Sequence, residues 1–334
     1  QQGTLCPNCL SNNLEPQPVR LRREPPELLV PFQVTSEDLG ATLANFVRPV
    51  WLKPDDLNPQ VMLQRARPVF WPMWLVDSAI SGHWQAEMGF DYQVKSSQEN
   101  FHRGQWQTRE QIETRIRWEP RAGEIQRRYE NIAAPALNQQ NELQARLGSY
   151  RLDQAAPYIA ASLGAGAAWV PDLQTENAWP GAQLSLNRAA EEEVRQAGDA
   201  QHVRNFAIQA QYENLNWSQL LLPLYVSYYH DDAGQPIPVW INGQSGKISG
   251  LLLASQAKGW QWAGITLAVA LGLFLIGLLL TAAATLLPPA AAIGALLMVL
   301  AFITGILAII PAAWPWQWNR NQRSRAVKAS GERT

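Results

Sequence analysis

The sequence predicts an α+β fold in which antiparallel β-sheet modules and intervening helices precede a C-terminal two-helix transmembrane hairpin. Three features lead there. Between Gly259 and Asn319 the chain carries no Asp, Glu, Lys or Arg. Upstream, short segments rich in aromatic and β-branched residues are separated by Gly, Pro, Asn and Asp, the signature of strands and turns. Between those segments lie Ala-, Gln- and Leu-rich stretches that read as helical. Strands and helices in separate runs point to α+β rather than to a parallel α/β sheet.

Composition narrows the class further. The 334 residues hold 27 Lys+Arg against 28 Asp+Glu, and only 16% are charged, below the roughly 25% of an average soluble domain. A disordered chain needs low hydrophobicity and high net charge, so that class is excluded. No basic excess is present to neutralise phosphates, so no nucleic-acid partner is expected. Two cysteines exclude a disulfide-dense scaffold.

The uncharged tract is long enough for two helices, since a bilayer core of about 30 Å takes about 20 apolar residues per helix. The first is expected over about 262–287. Pro288 and Pro289 break it, having no N–H to donate, and the second runs over about 290–310 to Pro311. Trp260 and Trp262 stand at the entrance and Trp314, Trp316 and Trp318 at the exit, the headgroup-level positions that indole prefers. Gly272, Gly277, Gly294 and Gly305 permit close backbone approach. The tail, residues 319–334, carries Arg320, Arg323, Arg325, Lys328 and Arg333 against Glu332. Removing those groups leaves 27 − 5 = 22 basic and 28 − 1 = 27 acidic residues in the remainder. The positive-inside rule then places both termini in the cytoplasm, and the partner of the tract is the lipid bilayer. No secretory signal peptide is visible at the start.

At the other end, Cys6-Pro7-Asn8-Cys9 is a CxxC knuckle, half of the four-ligand tetrahedral set that Zn²⁺ takes. An upstream knuckle, a second protomer, or His83, His102, His202 and His230 would supply the rest; an unmetallated pair is the other reading. Residues 1–12 form this half knuckle and 13–34, rich in Pro, Arg and Glu, a linker. Residues 35–258 form the body. Ser36 to Val47 reads as a helix capped by Ser36, with Glu37 and Asp38 favoured in its first turn. Residues 68–94 read as paired strands and 108–119 as their continuation. Residues 133–200 read as mainly helical, with Ala189 to Gln196 a solvated helix. Strands follow at 203–215, Leu220–His230 and Pro236–Ile241, with a turn at Asp232–Gln235 and Gly-rich punctuation from Asn242 to Gly246. Pro72-Met73-Trp74-Leu75-Val76 echoes Pro223-Leu224-Tyr225-Val226-Ser227, which fits two sheet modules related by duplication and fits chance equally well.

No catalytic constellation emerges. Glu87 and Asp91 are a carboxylate pair of the kind used in acid–base work. Together with the alternating Glu110, Glu113, Glu119, Glu124 and Arg109, Arg115, Arg117, Arg121 they read better as an exposed strand face with cross-strand ion pairs. Ser227 and His230 point to opposite faces at strand spacing. Among the 15 tryptophans, Trp74, Trp84, Trp118 and Trp240 are candidates for lining a groove, and core packing is the competing reading.

The knuckle, then Leu28-Leu29-Val30-Pro31-Phe32, Pro72-Met73-Trp74, Arg117-Trp118-Glu119-Pro120-Arg121-Ala122-Gly123, Leu222-Pro223-Leu224-Tyr225 and Trp240-Ile241-Asn242-Gly243-Gln244-Ser245-Gly246-Lys247, in this order, resemble a bacterial family of TFIIB-type zinc-ribbon membrane proteins with a C-terminal transmembrane hairpin. Leu10 stands where that family usually has Gly. Members are often labelled as primosomal helicases; this sequence has no GxxxxGK loop to cradle nucleotide phosphates. The resemblance implies that Cys6 and Cys9 are the second of two knuckles, that zinc is the cofactor, and that the setting is a bacterial inner (or thylakoid) membrane beside membrane-stress or SPFH-type assemblies. The expectation is a non-enzymatic membrane adaptor whose body and ribbon recruit membrane proteins or further copies of itself. The alternative is a Trp-rich sheet that binds a small molecule, lipid or peptide.

Overall fold

The computed structural model describes residues 25–102, 105–164, 166–283 and 289–331, with side chains outside 96–110 and 326–331. Cys6, Cys9 and most of the expected linker lie outside the described residues.

Three strands of unusual length dominate the body: β2 (Arg67–His102), β3 (Gln105–Ala134) and β6 (His202–His230). Ordinary strands run about 3–10 residues. β2 pairs antiparallel with β3 on one side and β6 on the other. The short strands β1 (Leu28–Leu29), β4 (Ala156–Pro157), β5 (Ala167–Ala168), β7 (Pro236–Asn242) and β8 (Ile248–Gly250) complete one eight-stranded sheet, ordered β3-β2-β6-β1-β4, with β5 on β2, β7 on β6 and β8 on β7. The β1–β6 and β2–β5 pairs are parallel and the others antiparallel.

Two prolines and three asparagines explain how strands this long are tolerated. Proline has no N–H for a ladder. Pro72 falls in the gap where β2 has left β5, last paired at Phe70, and has not yet met β3, first paired at Trp74. Pro223 falls where β6 leaves β1 after Leu221 and meets β7 at Leu224. Each proline thus marks an exchange of neighbours. Bulges interrupt the ladders at Val76/Ser78, Asp77/Ala79 and Gln85/Glu87. The extra residues include Asn131, Asn214 and Asn205, with φ of 56, 54 and 54°. Asn enters this left-handed region more readily than most side chains. Asn131 and Asn214 flank the same point of β2, so the sheet is creased along one line across three strands. Asp77 sits on that line and accepts the Asn131 backbone N–H at 2.8 Å.

One face of the long strands is covered by α4 (Thr175–Ala197). Its buried residues Ala178, Ala182, Leu186, Ala190 and Val194 recur every four positions, a single stripe. Against it pack Trp74, Val76, Ile80, Met88 and Ile125. The first part of the sheet, with α3 (Gln140–Leu147) beside it, buries Trp71, Met73, Leu220, Leu222 and Leu224. Helices α1 (Ser36–Val47) and α2 (Pro59–Arg65) pack with Tyr229, Val239 and Ile241. Three quoted motifs meet here. Phe32 lies 4.6 Å from Tyr225, ring to ring. Gly243 donates to the Pro223 carbonyl and accepts from the Gln33 and Val34 N–H groups. A Cβ on Gly243 would come within 2.5 Å of the Phe32 ring, so that approach needs glycine.

Beyond the body lie α5 (Gln256–Ala282), α6 (Pro289–Leu307) and α7 (Ile309–Gly331). α5 and α6 pack antiparallel through small residues. Ala263, Ala270 and Gly277 are buried on α5, and Gly294, Ala301 and Ala308 on the returning helix, each set spaced by seven. A Cβ on Gly277 would meet the Gly294 carbonyl at 2.8 Å, so the backbones touch.

Several expectations are corrected. The two strand groups are one sheet, and the echoing segments are adjacent within it, Pro72 opposite Leu221 and Pro223 opposite Phe70. Residues 68–94 are one strand, not a pair, and 203–215 is continuous with Leu220–His230. Among the described residues the region 133–200 is α-helical only in α3 and α4, with two short 3-10 turns at Leu152–Gln154 and Ala160–Leu163; Gly148, Pro157, Gly164 and Pro171 break the rest. The cap of α1 is Thr35, whose hydroxyl accepts from the Asp38 N–H while the Asp38 carboxylate accepts from that of Thr35. The last part of the linker is structural, since Leu29 and Val30 are buried. Pro311 does not end the apolar helix. It withdraws the donor for Leu307, the ladder breaks at Ala308, whose N–H is shared between Thr304 and Gly305, and α7 carries the helix on into the basic tail as far as Gly331.

The crease gives a test. Asn131→Val places a β-branched residue in the left-handed region and should lower stability by about 1–3 kcal/mol, whereas Asn131→Gly should be near neutral. Thermal unfolding of the full chain in detergent reads the difference, and equal effects would contradict the bulge assignment.

Candidate functional site at the joint of body and hairpin

A set of mutually supporting polar side chains gathers where the sheet body meets the apolar helices. The strap from Leu251 to Ser255 is the connection, and it runs extended, with Leu252, Leu253, Ala254 and Ser255 all buried. Buried backbone groups must be paired, and side chains from two elements, with one backbone carbonyl, do this. The Tyr229 hydroxyl donates to the Leu251 carbonyl and accepts the Leu253 N–H, both at 2.9 Å. The Trp318 indole N–H donates to the Leu252 carbonyl at 2.7 Å. Asn319 accepts the Ala254 N–H at 2.7 Å and donates to the Ala254 carbonyl at 3.0 Å, so one amide does what a neighbouring strand would do. The Ser255 N–H donates to the Leu52 carbonyl at 2.8 Å.

From this strap α5 begins. Ser255 caps it, its hydroxyl accepting the Lys258 N–H at 3.0 Å, and Asp232 accepts the Ala257 N–H at 3.0 Å. A carboxylate at a helix N-terminus meets unpaired donors and the positive end of the dipole. Lys258 pairs with Asp55 at 2.6 Å. At the other end of the hairpin, Gln256 donates to the Ala312 carbonyl at 3.2 Å. One loop over, Asp56 is gripped by Arg65 and by both the backbone N–H and Nδ1 of His230, the latter two at 2.7 Å. The Arg65 hydrogen bond holds the Asp56 carboxyl well below the usual carboxylate range, with His230 adding to it against the opposing effect of burial. Burial pushes the Tyr229 hydroxyl up to about 12, so it stays a donor.

The five expected interface tryptophans divide into two groups. Trp314 and Trp318, four apart on α7, face the body; they stack at 5.2 Å, and Trp314 meets Trp51 edge-on at 5.7 Å. Trp260, Trp262 and Trp316 are exposed. The spacing separates them, because residues four apart share a helix face and residues two apart do not.

Trp74, Trp84, Trp118 and Trp240 do not share a groove. Trp74 donates to the Leu173 carbonyl at 3.0 Å beneath α4. Trp84 lies over Gly123 on the α4 side of the sheet, and Trp118 over Gly89 on the opposite side. Each is a cross-strand pair in which indole covers a residue without a side chain. Trp240 packs on the first core under the Arg146 guanidinium, 5.6 Å away. Around Trp118, Arg204 stacks at 4.1 Å and pairs with Glu87, and His202 pairs with Asp91 at 2.9 Å. Those two pairs are cross-strand and lie on the face opposite α4; the β3 charges themselves depart from the expected cross-strand pairing, since Arg115–Glu113 and Arg121–Glu119 join residues two apart along β3, on the α4 side with Ile125. Ser227 donates to the Met62 carbonyl, while His230 holds Asp56. Among the described residues no group of three or more His, Cys, Asp or Glu is placed to hold a metal ion.

Sequence reasoning passed over Asn319 and Tyr229 and read Asp232 only as part of a turn. The available signal was the spacing of Trp314, Trp318 and Asn319 just where the uncharged tract ends.

Two outcomes follow from the joint. Asn319→Ala leaves both Ala254 backbone groups unpaired, at about 1–3 kcal/mol each; hydrogen exchange at the Ala254 and Leu253 amides should accelerate while exchange in α4 is unchanged. Because its pKa is depressed in the folded state, Asp56 contributes stability above the unfolded carboxylate value of about 3.9 and loses it as pH falls below. The gap in thermal stability between wild type and Asp56→Asn should therefore narrow from pH 7 to pH 3, and a constant gap would contradict the clasp.

Comparisons with protein-family models, curated proteins and solved structures find no match for this chain.

Proposed function

We propose that the chain is a membrane-anchored, non-enzymatic adaptor, held by α5, α6 and α7 as a hairpin in a bacterial inner or thylakoid membrane and presenting its sheet body to protein partners on the cytoplasmic side. The observation that carries this is the inside-out packing of the apolar helices. Their small residues form the contact seam, while the large side chains face outward: Leu279 is 70% exposed and Phe302 72%. Water makes such a surface costly at about 25 cal/mol per Å²; lipid tails do not, and helix pairs in lipid join through small residues. α5 at 27 residues and α6 at 19 span about 40 and 28 Å, against a hydrocarbon core of about 30 Å.

Topology agrees. The Asn319–Ala254 contact brings the end of the hairpin back to its start, so body and basic tail lie on one side, and the positive-inside rule makes that side cytoplasmic. An adaptor also needs a presenting surface. Past the Gly89–His202 pair β6 ends, and β2 and β3 continue as a two-stranded arm. It exposes Ile112 and Ile116 on one face and Tyr92 on the other, suited to membrane-protein partners or a second copy. The resemblance adds zinc at Cys6 and Cys9 as part of the recruiting end.

Fractionation tests the anchor. Carbonate-washed membranes should retain the chain and detergent alone should release it; recovery in the aqueous fraction would overturn the proposal. Partners that copurify in detergent should be lost from Ile112→Glu/Ile116→Glu, with thermal stability kept.

A further inference from the structure

We propose that the hairpin holds one anionic phospholipid in a groove between α5 and α7. This rests on the membrane reading above. The groove measures about 700 Å³ and runs from Gln256 to Leu267 on α5 and from Gly305 to Trp316 on the returning helix. Its floor is made of small residues, among them Ala263, Gly264, Ala308 and Ala312, and Trp260 and Trp316 stand at its sides. It lies beside the break at Ala308, where Pro311 withdraws a donor, and its small lining side chains leave open space although α7 packs closely on α5 at Gly259. In front of Gly264 nothing lies within 4 Å.

The occupant is argued from charge and depth. The lining is apolar along its length, which suits an acyl chain. At the body end, the Gln256–Ala312 hydrogen bond closes the floor. One turn past Trp316, Arg320 places its guanidinium 5.5 Å from the indole centroid. Arg323 follows on the next turn, and from Gly259 to Gly331 the sequence has no acid. Lys258 is held by Asp55, but among the described residues Arg320 and Arg323 have no carboxylate within ion-pair distance. A cationic mouth over an apolar groove, at the level where indole rings prefer the interface, complements a phosphate-bearing headgroup with one chain laid along the floor.

Native mass spectrometry of the detergent-extracted full chain, titrated with phosphatidylglycerol and with phosphatidylcholine of matched chains, tests this. One phosphatidylglycerol should be retained at least fivefold more tightly than phosphatidylcholine, each basic residue near the surface contributing about fivefold. Arg320→Gln/Arg323→Gln should reduce that preference to within about twofold. Gly264→Phe should abolish retention of the single lipid, and Ala313→Phe, at an exposed lining position, does the same should the first variant fail to fold. Equal retention of both lipids, or retention indifferent to both groove-filling variants, overturns the site. So does a lipid-free dimer, which would assign the groove to a second copy. A chain that needs no detergent to leave the membrane fraction fails the anchor reading instead, and the two failures are thereby distinct.

Discussion

Asn319 forms two hydrogen bonds with the backbone of Ala254, and the attachment of hairpin to body depends on that contact. The strap it serves is five residues long and buried, and an extended buried strand with one free edge carries a desolvation cost at every unpaired group. Tyr229 from the sheet, Trp318 and Asn319 from the returning helix, and Leu52 from the loop after α1 each remove part of that cost. Because the donors come from both the body and the far end of the hairpin, neither the start of α5 nor the course of α7 can move without orphaning a polar group. Without such a clasp, a flexible linker would let the body sample a wide range of positions relative to the apolar helices. The clasp fixes it at one, with Trp314 stacked on Trp318 and against Trp51.

The sheet meets the opposite problem. Strands of 29 to 36 residues twist too far to keep the same neighbours from end to end. Here the neighbours change instead, at Pro72 and Pro223, where a missing N–H costs nothing because no partner is in position to receive it. The accumulated twist is released at bulges, and the crease through Asp77, Asn131 and Asn214 lets one face stay against α4 while the other remains open. The result is a long lever with its base bolted to the hairpin and its tip reduced to two strands.

Some of this was legible in the sequence and some was not, for physical reasons. The uncharged tract, the α1 segment, the turn after His230 and the ion-paired strand face all rest on local signals: charge, capping residues, Gly and Asp in turns, alternation. The length of α4 was hidden, because its buried stripe is mostly alanine and differs little in hydropathy from its flanks. The expected strand at 108–119 stops short of Asn131, and that asparagine is instead a bulge that keeps β3 going, as Asn205 and Asn214 are in β6. The clasp left only a faint trace, the spacing of Trp314, Trp318 and Asn319, for another reason. Ala254 and Asn319 are 65 positions apart, and nothing local to either says that an amide will stand in for a strand. The tryptophans misled by number. Trp84 and Trp118 have glycine opposite them across the β2–β3 ladder, a pairing that can be found only once the register is known.

A comparison within the molecule bears on the proposed anchoring of the hairpin. α4 and α5 pack by the same device. α4 lays Ala178, Ala182 and Ala190 on the sheet, and α5 lays Ala263, Ala270 and Gly277 on its neighbour, so in both cases small residues bring backbones close and dispersion does the rest. What differs is the surface left over. The outer positions of α4 include Arg188, Glu192 and Gln196, exposed and partly tied into ion pairs such as Glu192–Arg195. The outer positions of α5 and α6 include Leu271, Leu279, Phe302 and Ile306, exposed and with no polar group among them. Identical packing with opposite exteriors cannot be explained by the contacts each helix makes inside the molecule. The proposed anchoring accounts for it by what each helix would meet outside the molecule: water for α4, hydrocarbon for the hairpin.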